Sequence, residues 1–290
     1  MGNSFHTMSG LLLKWWFGAI LWLIFLSAAA GPVQTANPWA KVETPGPGKA
    51  EAIGLANAGC VNGAKALPLD GFGYRVMRPS RNRYYGHPEL VNFIQSLGRQ
   101  VERHGIGTLL VGDLAQPRGG PMAFKHRSHQ SGLDVDLWFW LPHHIGNRSL
   151  SANEREQWQA PSMLAADGVS LHPLRWTKDQ EQLLQIAAQQ PAVDRIFVNP
   201  AIKRELCRSK AGSQWLRKVR PWWGHDDHLH IRLRCPSGEN RCMPQEALPL
   251  GNGCDASLAW WFSDEARQQP SKPSKDPDLP AACLVLINGQ

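Results

Sequence analysis

From His228 to Cys235 the chain alternates without interruption. Leu229, Ile231, Leu233 and Cys235 fall on one side, and His228, His230, Arg232 and Arg234 on the other. Side chains of a strand point to opposite faces with period two, so this segment fits only at a sheet with a core on one face. The other face is left for chemistry. Leu90, Phe93, Ile94, Leu97 and Val101 recur at helical spacing behind the start signal His87-Pro88-Glu89, predicting a helix over about 88–104 that Gly105 ends. Thr108–Val111, Leu133–Phe139 and Arg195–Val198 are short β-branched or aromatic runs, and Leu183, Leu184 and Ala187 mark a second helix. The expected fold class is α+β: a central antiparallel sheet with flanking helices, stapled by disulfides.

The staples follow from the leader. Lys14 precedes an apolar run from Trp15 to Leu26, and Ser27, Ala28, Ala29 and Ala30 follow, the charge, hydrophobic block and small-residue cleavage pattern of a secretory signal. The run is about 12 residues against the roughly 20 of a spanning helix, so a cleaved signal over 1–30 is expected, with no stable membrane span afterwards. An exported chain meets an oxidising compartment, where the even set Cys60, Cys207, Cys235, Cys242, Cys254 and Cys283 can pair completely. None forms a CxxC, which disfavours a zinc ribbon or a thioredoxin-like site. Spacing alone leaves the connectivity open, with a small local loop closed by Cys235 and Cys242 as the first guess. A Pro/Lys/Ser tract from Pro270 to Pro280 reads as an extended linker, and Cys283 beyond it would pin a tail over 269–290. Residues 31–268 would be the folded domain.

Five of the 11 histidines sit in two clusters. In the first, His126 and His129 lie on a loop that Ser131-Gly132 turns into a strand carrying Asp134 and Asp136 on one face. The second reads Trp222-Trp223-Gly224-His225-Asp226-Asp227-His228-Leu229-His230. Neutral imidazoles and a carboxylate are the usual zinc ligands outside all-Cys sites, and a catalytic zinc keeps three of them. Residues two apart on a strand point the same way about 7 Å apart, so His228 and His230 can flank one water without both binding a metal. So many ionisable groups in short apolar or Gly-punctuated segments would be costly if buried unpaired, and metal binding is the economical explanation. Asp134 is either a partner that orients a histidine N–H or a solvated carboxylate. His6, His104, His143 and His144 fall in loop or terminal contexts and are assigned no role. Trp222 and Trp223 can wall a groove, or pack in the core or on a disulfide.

The strings His126 to Asp136 and His225 to Pro236 resemble those of the penicillin-insensitive murein endopeptidases. Tyr84-Tyr85-Gly86-His87-Pro88 and Arg195 to Lys203 are similar to that family too, and the likeness runs from about Pro38 to the final cysteine. The resemblance implies a periplasmic zinc peptidase of the lysostaphin, D-Ala-D-Ala peptidase and hedgehog group. Its frame implies His129, Asp136 and His230 as zinc ligands, His126 at or beside the zinc, His228 as the base and His225 as an active-site histidine. It also implies the pairs Cys60–Cys283, Cys207–Cys254 and Cys235–Cys242. A second, peripheral metal would use Asp167, but the family's histidine position is Ser170 here, with His172 two residues on. The implied substrate is the D-alanyl to meso-diaminopimelyl cross-link of peptidoglycan. Hydrolysis would use metal-activated water with a histidine taking its proton, and the absence of a Ser-x-x-Lys arrangement fits insensitivity to β-lactams. A metal D,D- or L,D-carboxypeptidase, and a non-catalytic zinc-bearing peptidoglycan-binding module, share the same frame. The net charge of +7 (31 basic against 24 acidic residues) favours an acidic partner. The basic residues are scattered and export removes the usual partner, so no nucleic acid is expected.

Overall fold

The computed structural model describes residues 37–122, 126–268 and 277–288. The proposed signal over 1–30 and most of the Pro-rich tract lie outside the described residues. In chain order the elements are β1 (Glu51–Leu55), β2 (Ala58–Asn62), β3 (Lys65–Ala66), β4 (Asp70–Gly71), β5 (Tyr74–Val76), β6 (Tyr85–Gly86), α1 (Pro88–Arg103), β7 (Leu109–Val111) and β8 (Asp134–Trp138). They continue with α2 (Ala152–Gln157), α3 (Lys178–Gln189), β9 (Val193–Val198), α4 (Pro200–Ser209), β10 (Val219–Pro221), β11 (His228–Leu233), α5 (Ala256–Trp260), α6 (Asp264–Arg267) and α7 (Ala281–Asn288). The fold is α+β.

A seven-stranded sheet runs β10-β9-β11-β8-β7-β5-β4. Its centre is antiparallel, β11 pairing with β8 on one side and β9 on the other, while β10–β9 and β5–β7 are parallel pairs toward the two edges. Val135, Leu137, Ile196, Val198, Leu229 and Ile231 from the central strands share one buried cluster with Leu90, Ile94 and Leu97 of α1, Leu183 and Leu184 of α3, and Ile202 and Leu206 of α4. The alternation read in β11 thus has its apolar side against the helices. α1 starts as its sequence directs: Pro88 is in the first turn and the His87 ring accepts the Glu89 N–H through Nδ1 at 3.2 Å. His87 Nε2 meets Glu239 at 3.0 Å, and the other oxygen of Glu239 accepts the Ala52 N–H at 2.8 Å, so one carboxylate ties the helix cap to β1.

Three disulfides close the fold: Cys60–Cys283 joins β2 to α7, Cys207–Cys254 joins α4 to the approach to α5, and Cys235–Cys242 closes a loop of separation 7 after β11. Cys283 lies in a helix, packed with Trp39, Ile53 and Cys60 in a separate small core. The Cys60–Cys283 link spans 223 residues, and long loops are those whose closure most constrains the unfolded chain. Replacing both cysteines by serine should lower stability by about 2–5 kcal/mol, read as a lower guanidinium midpoint.

Candidate metal centre

The register of two strands builds the site. β11 pairs with β8 so that His230 stands opposite Asp136 and Arg232 opposite Asp134. The two carboxylates and the polar side of β11 therefore share the sheet face away from α1, α3 and α4. This face is not open to water: Asp134 and Asp136 are buried, as are His230 and Arg232.

Asp134 is fully committed. Arg232 donates to it in a fork, Nε to Oδ1 at 2.8 Å and Nη2 to Oδ2 at 2.7 Å, His230 donates from Nε2 at 3.1 Å, and the His129 N–H donates at 3.2 Å. Burial works against its charge, but Arg232 and His230 outweigh burial and hold the carboxyl well below the usual range. Of the two sequence alternatives for Asp134, this is the orienting partner. It holds the Nε2–H of His230, which leaves Nδ1 of that ring as the lone-pair nitrogen facing Asp136.

Among the described residues Asp136 has no guanidinium or ammonium partner. His230 Nδ1 lies 3.0 Å from its Oδ1, His129 Nε2 3.4 Å and His228 Nε2 3.7 Å, and His126 Nδ1 is 3.8 Å from Oδ2. Among the described residues Asp136 Oδ1 makes no hydrogen bond, and neither does either ring nitrogen of buried His129. Buried polar atoms are nearly always paired, so orphans on two facing residues, His129 and Asp136, mark a place for a shared electrophile. Electrostatics agrees. Burial opposes the charge on Asp136, yet His129 and His228 hold its pKa well below the ordinary value. Only imidazolium or a cation can balance that carboxylate. Ligand atoms of His126, His129 and Asp136 lie within 4.8 Å of one another. This donor set of imidazoles and one carboxylate fits zinc.

Local backbone aims these groups. His129 (φ 67°) and His225 (φ 51°) are non-glycine residues in the left-handed region, a conformation tolerated where surrounding structure enforces it. Gly132, whose N–H bonds the His129 carbonyl at 3.3 Å, has φ 72°, and a Cβ there would come within 2.9 Å of Val61. The second histidine loop is pinned by Asn199, which donates from its amide to Gly224 O at 3.0 Å and from its backbone to His225 O at 2.8 Å. His228 places Nδ1 on Asp227 at 2.5 Å, turning Nε2 toward Asp136. Burial lowers its pKa, but Asp136 and Asp227 raise it more, to about 9 in the protein alone. His225 behaves oppositely: burial, then the neighbouring His228 and His230, push it down to about 4, and its Nδ1 is held on Trp223 O at 2.9 Å.

Asp113, just after β7, escaped the sequence reading. It is buried, receives Arg81 at 3.1 Å and Arg83 at 3.0 Å, and meets His126 Nε2 at 2.9 Å, which turns His126 Nδ1 toward Asp136. Burial works against its charge, while His126, Arg81 and Arg83 prevail and hold it at about 2. A carboxyl lowered on folding adds stability above its unfolded value, lost as pH falls through the folded value. Asp113→Asn should therefore blunt acid unfolding between about pH 4 and pH 2 in a pH titration of the folded fraction, and weaken metal affinity about 10–100-fold by loosening His126.

Asp167 is not brought to this centre. It is exposed, and its carboxylate accepts the N–H groups of Val169 and Ser170 at 2.9 and 2.8 Å and the Ser170 hydroxyl at 2.5 Å. His172 turns Nδ1 to the Leu174 N–H at 3.2 Å, and Asp167 belongs to no group of three possible metal ligands among the described residues. His143 meets Asp179 at the surface. Trp222 and Trp223 are exposed, so the packed-core alternative for them does not hold.

A family model described as penicillin-insensitive murein endopeptidase matches residues 52–288. The chain is similar to proteins of that name from Yersinia enterocolitica (43% identity over 279 residues, 95% of this chain and 98% of the relative) and Klebsiella pneumoniae strain 342 (44% over 272 residues, 93% and 97%). A protein of the same name from Salmonella heidelberg is 44% identical over 268 residues, covering 91% of this chain and 94% of its own length.

Proposed function

Because the chain belongs to the penicillin-insensitive murein endopeptidase family, a family of metallopeptidases, we propose that it is a zinc-dependent endopeptidase of the periplasm. Its substrate is the D-alanyl to meso-diaminopimelyl cross-link of peptidoglycan. One observation carries the reading: the orphaned, buried His129 nitrogens and Asp136 Oδ1, with His230 Nδ1 3.0 Å away. His129, Asp136 and His230 hold the metal, with His126 as an additional or adjacent ligand. Residues 1–30 serve as the export signal, 31–268 as the peptidase domain and 269–290 as a tail tied back by Cys283. No helix among the described residues is long and apolar enough to cross a membrane.

Zinc, when bound, supplies Lewis acidity at the scissile carbonyl and makes a water ionise near neutrality. His228 accepts the proton of that water at Nε2, and Asp227 on Nδ1 steadies the resulting imidazolium. With a cation held on Asp136, one of the carboxylates that raise His228 would be offset, which would favour the neutral, proton-accepting form of its Nε2. The imidazolium then returns the proton from Nε2 to the leaving amine. His225 stays neutral, its Nδ1–H spent on Trp223 O. Its Nε2 is thus an acceptor that can orient the water or the substrate amide.

The test is mass spectrometry of purified cross-linked muropeptide dimers incubated with the mature protein, with and without chelator. Chelator-sensitive conversion of dimers to monomers without free alanine is expected. Release of D-alanine alone means a carboxypeptidase, and intact dimers mean a binding module.

A further inference from the structure

Trp222 and Trp223 are 54% and 41% exposed, an unusual amount of indole surface to leave in water. They do not stand alone. Trp261 approaches them at ring-centroid distances of 6.1 and 5.4 Å, inclined at 55° and 59°, and Trp260 meets Trp261 edge-on at 5.3 Å. The four rings form one continuous aromatic cluster, exposed at Trp222 and Trp223 and termed the trough. It is assembled from two distant segments, the stretch between β10 and β11 and the end of α5. The Cys207–Cys254 disulfide anchors the approach to α5 on α4, and the Arg204 guanidinium from α4 stacks 4.1 Å over the adjoining Phe262.

The trough adjoins the metal centre. Phe197 packs edge-on against Trp222 at 5.8 Å and against His230 at 5.5 Å. Trp222 is therefore one aromatic ring removed from a proposed metal ligand.

We propose that this aromatic trough is a glycan subsite, holding the amino-sugar strand that carries the peptide being cut. The inference rests on the murein reading of the site. Murein is a chain of N-acetylated sugars bearing short stem peptides, and four extended residues span at most about 14 Å. A sugar of the same strand consequently lies within reach whenever a cross-link is at His228. The apolar C–H faces of a pyranose ring match the flat face of an indole, and tryptophan also offers an N–H to hydroxyl or acetamido oxygens. Stem peptides, by contrast, are rich in carboxylates and call for cations. Arg204, a cation beside the trough, is stacked on Phe262 and donates to Val169 O at 2.7 Å.

The test compares two substrates with the same cross-link: disaccharide-bearing muropeptide dimers, and the sugar-free peptide dimers that an amidase releases from them. For the Trp222→Ala/Trp223→Ala protein, KM on the sugar-bearing dimers should rise tenfold or more, with kinetics on the sugar-free dimers unchanged. Trp222→Phe/Trp223→Phe should restore much of the loss, which separates stacking from folding. An equal loss on both substrates would assign the trough to peptide, and no loss on either would remove it from the substrate path. Isothermal titration with an N-acetylglucosamine tetramer reads the trough without catalysis. Saturable binding by the wild-type and His228→Ala proteins, lost in the double alanine variant, is expected; absence of binding by the wild type together with unchanged kinetics overturns the subsite. If the wild type binds the tetramer but cleaves neither dimer, the endopeptidase reading fails and the subsite stands.

Discussion

His228→Ala should keep its zinc and lose about 10²–10⁴-fold in turnover, the range by which a positioned base accelerates proton transfer. The physical reason is that His228 Nε2 stands 3.7 Å from Asp136 while its other nitrogen is held on exposed Asp227, at the margin of the site, whereas His129 and His230 are buried behind it. Removing the marginal ring leaves the converging donors in place. Removing His129, Asp136 or His230 takes away a donor, so metal and activity should disappear together. Metal content per chain by atomic spectroscopy, measured beside turnover on muropeptide dimers, separates the two classes. Equal zinc occupancy in His230→Ala would sink the ligand assignment, and loss of zinc in His228→Ala would make that ring a ligand.

Arg232→Ala is the second large effect and it falls on stability. The guanidinium makes both hydrogen bonds of a fork to a carboxylate that is 0% exposed, so its loss leaves a buried charge supported only by His230 and one N–H. Breaking a buried pair from one side costs about 3–5 kcal/mol. A pair of apolar side chains, Asp134→Leu with Arg232→Met, should recover most of that in denaturant unfolding, because no charge is then stranded. Metal affinity should not recover. Without Asp134 the His230 Nε2–H has no acceptor and the ring loses its fixed orientation, a loss worth about 10–100-fold in affinity. Recovery of both quantities would mean that Asp134 only neutralises Arg232.

What sequence could and could not foretell divides along local against distant information. α1, β8 and β11 carry their own signals, a capped amphipathic period in the helix and short apolar or alternating runs in the strands, and their bounds agree to within a few residues, while α3 is marked only by Leu183, Leu184 and Ala187. The two histidine clusters were readable because their residue types are unusual in apolar surroundings. The hairpin of β1 and β2 was not foreseen: Glu-Ala-Ile-Gly-Leu and Ala-Gly-Cys-Val-Asn have little strand propensity, and what holds them is the Cys283 helix packed behind. α7 itself, Ala-Ala-Cys-Leu-Val-Leu-Ile-Asn, is apolar throughout and shows no period to read. Asp113 is a single carboxylate after an apolar run, and only its tertiary partners Arg81, Arg83 and His126 give it meaning. Whether Trp222 and Trp223 face solvent or core depends on α5, which contacts them from elsewhere in the chain.

The position of β11 has a bearing on when such a molecule becomes dangerous to its surroundings. This strand enters between β8 and β9, both of which precede it in the chain, and it brings His230 to an Asp134 that lies 96 residues earlier. On the proposed assignment neither half suffices: His126, His129 and Asp136 lack His230 and the base His228, and β11 alone has no carboxylate to face. A shift of one residue in the pairing would turn His228 and His230 into the helical layer and Leu229 and Ile231 out of it, which the core cannot tolerate. On this assignment hydrolytic competence requires the same pairing that fills the centre of the sheet. A chain in which β11 is not paired with β8 would have neither His228 nor His230 facing Asp136.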